Sequence, residues 1–171
     1  MAIISSVNID GGPFDSTAIV GTVNGIPKGD KALNAAALAD MFGSIMSDGV
    51  CPGDGTSFKV TAGSGLTVRV SPGKAWARGR MCSTDSQMTL DLSAGHSFKV
   101  FLRLDTYDGL WSVMVYQDDA GYLPVRSNLI YDMILAEVTV PSGATAVTSS
   151  MIVDRRGSSE VCGYAGARTA G

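Results

Sequence analysis

From Ser57 onward the chain is written in period two. Runs at 57–62, 66–70, 74–81, 87–92, 97–105, 110–117, 130–140 and 146–153 alternate apolar with polar residues, or are rich in β-branched and aromatic ones. A helix needs a repeat near 3.6, so these runs exclude a helical body and predict eight short strands. Turn chemistry separates them. Ser71-Pro72-Gly73 presets φ at its proline and frees φ at its glycine, Asp108-Gly109 lies between two alternating runs, and Pro141-Ser142-Gly143 ends the longest run. With 21 glycines among 171 residues the chain has turn residues enough for such a layout. The expected fold is mainly β: a β-sandwich or jelly-roll-like body at 48–157, preceded by an extended N-terminal arm at 1–29 and one short amphipathic α-helix at 30–47, and followed by a C-terminal tail at 158–171.

Side chains sort onto faces by the same period. Leu66, Val68 and Val70 alternate with Thr67 and Arg69, and Phe98, Val100, Leu102 and Leu104 alternate with Lys99, Phe101, Arg103 and Asp105, which gives each strand an inward side. In 130–140 strict alternation sets Ile130, Ile134, Ala136, Val138 and Val140 against Tyr131, Met133 and Leu135, so both faces are apolar and both need a cover. The helix, the arm and a neighbouring copy are the candidate covers for the second face.

The arm mixes apolar runs with Gly11-Gly12-Pro13, Asn24-Gly25 and Pro27, too broken for a helix and too apolar for a solvated tail; it is expected to dock. Asn24-Gly25 is a hairpin signal, with 17–23 as one candidate strand, and the sequence leaves that hairpin open. Asp30 supplies an N-cap oxygen for an alanine-rich helix running to about Met46, closed by Asp48-Gly49. Leu33, Ala37, Leu38, Met41, Phe42, Ile45 and Met46 fall on one wide apolar face, which either the chain's own β body or symmetry mates must cover. Gly43 sits inside this helix at a cost of about 1 kcal/mol against alanine, which implies a conformational or packing reason.

Charge and motifs narrow the function classes. A formal charge of −3 from 13 basic and 16 acidic residues, scattered in both signs, offers no basic field for nucleic acid. The start MAIISSVNID lacks a basic n-region and a long apolar stretch, so the chain is expected to be made in the cytoplasm, soluble and without membrane insertion. Cys51, Cys82 and Cys162 are far apart and in no metal-binding spacing. His96 has no sequence motif placing a nucleophile beside it, Gly53-Asp54-Gly55 reads as a turn, and the scattered aspartates do not follow calcium-loop spacing. No catalytic residue, cofactor or metal is expected, and the chain is read as a non-enzyme. Trp76 and Trp111 lie in strands, where a core or interface ring is the common outcome. Tyr107 and Tyr122 lie in predicted loops and are the candidate ligand-contacting aromatics. Arg155 and Arg156 after the last run suit bidentate pairing with Glu137 or Asp132, between subunits or within one.

Three stretches carry a family resemblance: Asp48-Gly49-Val50 with FKVTAGSGLTVRVSPGKAWARGRMC, then FLRLD, then IYDMILAEVTVPSGATAVTSSMIVDRR with Cys162-Gly163 following. Over residues 48 to 163 this order resembles the N-terminal or shoulder modules of baseplate and receptor-binding (tail fibre) proteins of long-tailed phages. The resemblance implies a β-sandwich, often trimeric, in the virion at the tail tip or baseplate, with other tail proteins as partners. Larger receptor-binding members carry a further C-terminal head for host saccharide, and this chain stops soon after the shoulder-like part. A scaffold or adaptor role is therefore expected, with a carbohydrate-binding, receptor-recognition module as the alternative. The expected contact surface between copies or partners comprises Leu33, Leu38, Met41, Phe42 and Ile45 of the helix, Tyr131, Met133 and Leu135 of the long strand, and Arg155 and Arg156.

Overall fold

The computed structural model describes residues 3–9, 22–23, 26–27, 35–118 and 121–168, with side chains from Leu38 onward. β1 (Ile3–Ile9), β2 (Thr22–Val23) and β3 (Ile26–Pro27) precede α1 (Ala35–Ile45). Then come β4 (Gly49–Val50), β5 (Val60–Ala62), β6 (Thr67–Val70), β7 (Gly73–Ala77), β8 (Arg80–Thr84) and β9 (Met88–Asp91). The long strands are β10 (His96–Asp105), β11 (Leu110–Gln117) and β12 (Ile130–Val140), and a 3-10 turn at Ser149–Met151 leads into β13 (Ile152–Asp154).

Among the described residues the protein is mainly β with one short helix, and its body is sandwich-like. A five-stranded sheet in the order β1-β11-β10-β12-β13 faces two three-stranded sheets, β4-β7-β8 and β5-β6-β9. Val68 and Leu90 from one small sheet and Ala75 and Cys82 from the other pack against Val100, Leu102, Val113 and Val138 of the large sheet in one buried core. Burial of inward residues and exposure of outward ones follows the alternation in β6, where Val68 and Val70 are buried and Arg69 is exposed.

The arm enters the fold as an edge strand: β1 runs antiparallel to β11, with Ser5 opposite Val115 and Ile9 opposite Trp111. β2 and β3 pair with each other, Val23 opposite Ile26, across the Asn24-Gly25 position. Asp30, Leu33 and the remainder of the expected 17–23 strand lie outside the described residues.

Three expectations from the alternation are corrected. The run 74–81 is two strands, because Ala77 pairs with Arg80 across a two-residue turn in which Arg78 (φ 51°) and Gly79 (φ 72°) both take positive φ. Such a primed turn matches the twist of the flanking strands. The run 146–153 is a 3-10 turn with only its end in a strand. In β12 the face assignment fails at a bulge: Val100 is opposite Ala136 and Phe101 is opposite Ile134, so Leu135 is an extra residue. One added residue shifts parity. Met133 and Leu135 before the shift, and Ala136, Val138 and Val140 after it, therefore all point into the same core.

The second face of the large sheet is covered from within the chain. The connection from β11 to β12 passes β10, which lies between them, and it brings Tyr122 onto Phe101, Tyr116 and Ile134, with Met114 and Val161 at the margin. Residues after Asp154 run back along the body. Val50 N–H donates to Gly163 O at 3.0 Å and Ala165 N–H to Val50 O at 2.9 Å, and the Cys162 side chain is buried.

Candidate functional site

Backbone contact with the β7–β8 turn seats α1 on the body. A Cβ at Gly79 would overlap the Ala39 carbonyl, so glycine there serves both the positive φ and the approach of the helix. Gly43 faces the same turn, and a Cβ built on it would fit at ordinary van der Waals contact, 3.5 Å from Gly79 N. Phe42 meets Trp76 edge to face at a ring separation of 5.6 Å. The helix ends where the returning chain takes over its last carbonyls: Arg168 N–H donates to Ile45 O at 2.8 Å and Arg168 Nε to Met46 O at 2.9 Å.

One side of α1 is thus covered by the chain's own β body. Leu38 is half-buried, but Met41 is 51 % exposed and Ile45 52 % exposed, which leaves part of the apolar face uncovered by any described residue. Leu33 lies outside the described residues.

Near the end of α1 stands a cluster that sequence reasoning missed apart from Tyr131. The Arg78 guanidinium lies 5.3 Å from the centre of the Tyr131 ring, and the Arg126 guanidinium 5.2 Å. Local pairing places both arginines: Arg78 heads the β7–β8 turn, where its N–H donates to Asp48 Oδ1 at 2.8 Å, and Arg126 bridges to Tyr131 at the start of β12. Burial, and second the nearby Asp48 carboxylate, push the Tyr131 hydroxyl above its ordinary value. No motif in the sequence marks this cluster, because Arg78 meets Tyr131 and Arg126 only in the fold.

Other expected contact residues are engaged inside the chain. Met133 and Leu135 are core residues for the parity reason above. Arg155 donates from Nη2 to Glu137 at 2.5 Å. The Arg156 side chain is 4 % exposed; Nη2 pairs with Asp154 at 2.7 Å and Nη1 donates to Ser57 O at 2.7 Å. Asp132 pairs instead with Arg103, whose Nε and Nη2 donate at 2.7 Å and 2.9 Å.

Tyr122, expected in an open loop, is buried at 5 % exposure. Its hydroxyl donates to Asp132, Arg103 Nη2 donates to that hydroxyl oxygen at 3.0 Å, and Lys99 Nζ donates to the Tyr122 carbonyl at 2.6 Å. The residues around Tyr122 signal an exposed loop, whereas the apolar outer face of β10 and β11 takes the ring as its lid. Tyr107 is 82 % exposed on the turn after β10.

Comparison with protein-family models, curated proteins and solved structures finds no match.

A recess of about 340 Å³ is lined by Cys51, Asp54, Ser57, Lys74, Thr84 and Asp85. Burial pushes the Cys51 thiol up, against the opposing effect of Lys74, so it is a poor nucleophile near neutral pH. Asp54 is occupied by its own turn, accepting from Thr56 N–H at 2.9 Å and Thr56 Oγ1 at 2.5 Å, which holds its carboxyl below the usual value. His96 opens β10 and contacts Gln117 Nε2 through Nδ1 at 3.0 Å. Methionine, isoleucine, tyrosine and two arginines around the end of α1 are, by contrast, a composition suited to protein contact.

Proposed function

We propose that this chain is a non-enzymatic structural component of a phage-type tail tip or baseplate, a self-assembling scaffold or adaptor for host attachment with a trimer as the favoured form. The observation that carries the reading is the half-covered helix: α1 rests on the body through Phe42, while Met41 and Ile45 remain about half exposed. Large apolar side chains left uncovered beside arginine and tyrosine suit a contact between chains. The resemblance of the three sequence stretches within 48–163 to phage shoulder modules supports the proposed setting: synthesis in the host cytoplasm, incorporation into the virion, and other tail proteins as neighbours. Contact with host saccharide, the alternative, retains Tyr107 as its exposed aromatic.

Light scattering on the full chain at micromolar concentration tests the reading. The expected mass is three times the 17.7 kDa of one chain, and Met41→Glu with Ile45→Glu should yield a monomer with an unchanged β-type circular dichroism spectrum. A monomeric wild type contradicts it.

A further inference from the structure

We propose that the Arg78–Tyr131–Arg126 cluster is the receiving half of a contact between two copies of this chain, and that it takes the Asp40 carboxylate of the neighbour's α1. This inference rests on the assembly reading above and names the groups that meet. Arg78 and Arg126 are both exposed, and none of the ion pairs among the described residues includes either. Each guanidinium lies over the same tyrosine ring. Such packing restrains the long side chain while leaving its in-plane N–H groups free for a carboxylate, so less order is lost on binding. Asp48, the acid that the described contacts place beside the cluster, is committed to the Arg78 backbone N–H and to the Tyr131 hydroxyl.

Asp40 is the complementary group on the same chain. Asp40, Met41, Ser44 and Ile45 form one exposed arc of α1, at the three- and four-residue steps that share a helix side. Any contact made through Met41 and Ile45 therefore carries Asp40 into the interface. Asp40 makes no ion pair with a described residue of its own chain, although the helix abuts the Arg78–Gly79 turn through Gly43 and Ala39. Asp40 and the two arginines are thus all exposed and, among the described residues, without an ion pair. Pairing between copies satisfies both, with the apolar side chains as the centre of the contact and the charges at its rim setting register and partner choice.

Charge reversal with rescue provides the test, read by sedimentation equilibrium on the full chain. Asp40→Arg alone, and Arg78→Glu with Arg126→Glu, should each raise the dissociation constant roughly tenfold or more, because like charges then face each other. Mixing the two variants should restore association between them. If the glutamate variant loses its fold, Arg78→Gln with Arg126→Gln serves instead and should weaken assembly less than reversal does. For the wild type the dissociation constant should rise with salt. Wild-type assembly that is indifferent to salt and to both reversals, or a mixture that fails to regain association, overturns this inference while the assembly reading stands. A wild type that never assembles overturns both.

Discussion

Asp132 is fully buried and accepts from Arg103 Nε, Arg103 Nη2, the Tyr122 hydroxyl and the Val125 N–H. A buried carboxylate is tolerated when its oxygens are met in this way, and removing it strands the partner charge. Asp132→Ala should cost about 3–5 kcal/mol in urea melts, while replacing Arg103 and Asp132 together by apolar residues of similar volume should cost much less. Equal losses in the two variants would show that Asp132 acts by packing alone. The thiols make a second case. Burial pushes Cys162 up to about 12 and Cys82 higher still, from an ordinary value of 9.0. A raised folded-state value means that the neutral thiol is favoured in the native state. That contribution is complete below 9 and is lost as pH climbs from about 9 towards 12. Stability should therefore fall over that alkaline window, and Cys162→Ala should flatten the fall. At pH 8 an alkylating reagent should reach Cys51, half-buried, well before Cys82 and Cys162, as peptide mapping would reveal.

For the elements, two glycines separate conformational need from habit. Gly79→Ala should unseat α1, because positive φ and the Ala39 carbonyl both exclude a side chain there. Gly43→Ala has room and should stabilise the protein by up to about 1 kcal/mol, the helix propensity difference. Thermal melts of the two variants should move in opposite directions. The same turn marks where sequence reading stopped short. β11 and β12 were legible to the residue, because alternation ended at turn chemistry on both sides. The β7–β8 turn was hidden because Arg78 occupies a position that asparagine or glycine would have advertised, and the small, apolar residues around it read as one strand. The β12 bulge is hidden for a related reason: it falls inside the all-apolar stretch 133–136, where a change of parity moves no polar residue, so strict alternation points Met133 and Leu135 outward although they are core. Of the contact surface, Met41 and Ile45 followed from helical spacing, whereas Arg78 and Arg126 join Tyr131 only through tertiary packing.

Across the whole molecule, the long-range pairing of β1 with β11 and of the 163–168 segment with β4 and α1 ties both ends of the described chain to the sandwich. The result is a β body with one helix held against it and a flank of that helix that no described residue covers. An assembly role in a tail makes a direct demand on particles. Immunogold labelling and mass spectrometry of purified particles from the cells that make this protein should find it at one end of the tail, in a copy number that is a multiple of three. Particles that lack the protein, with all of it free in the soluble fraction, would contradict the account.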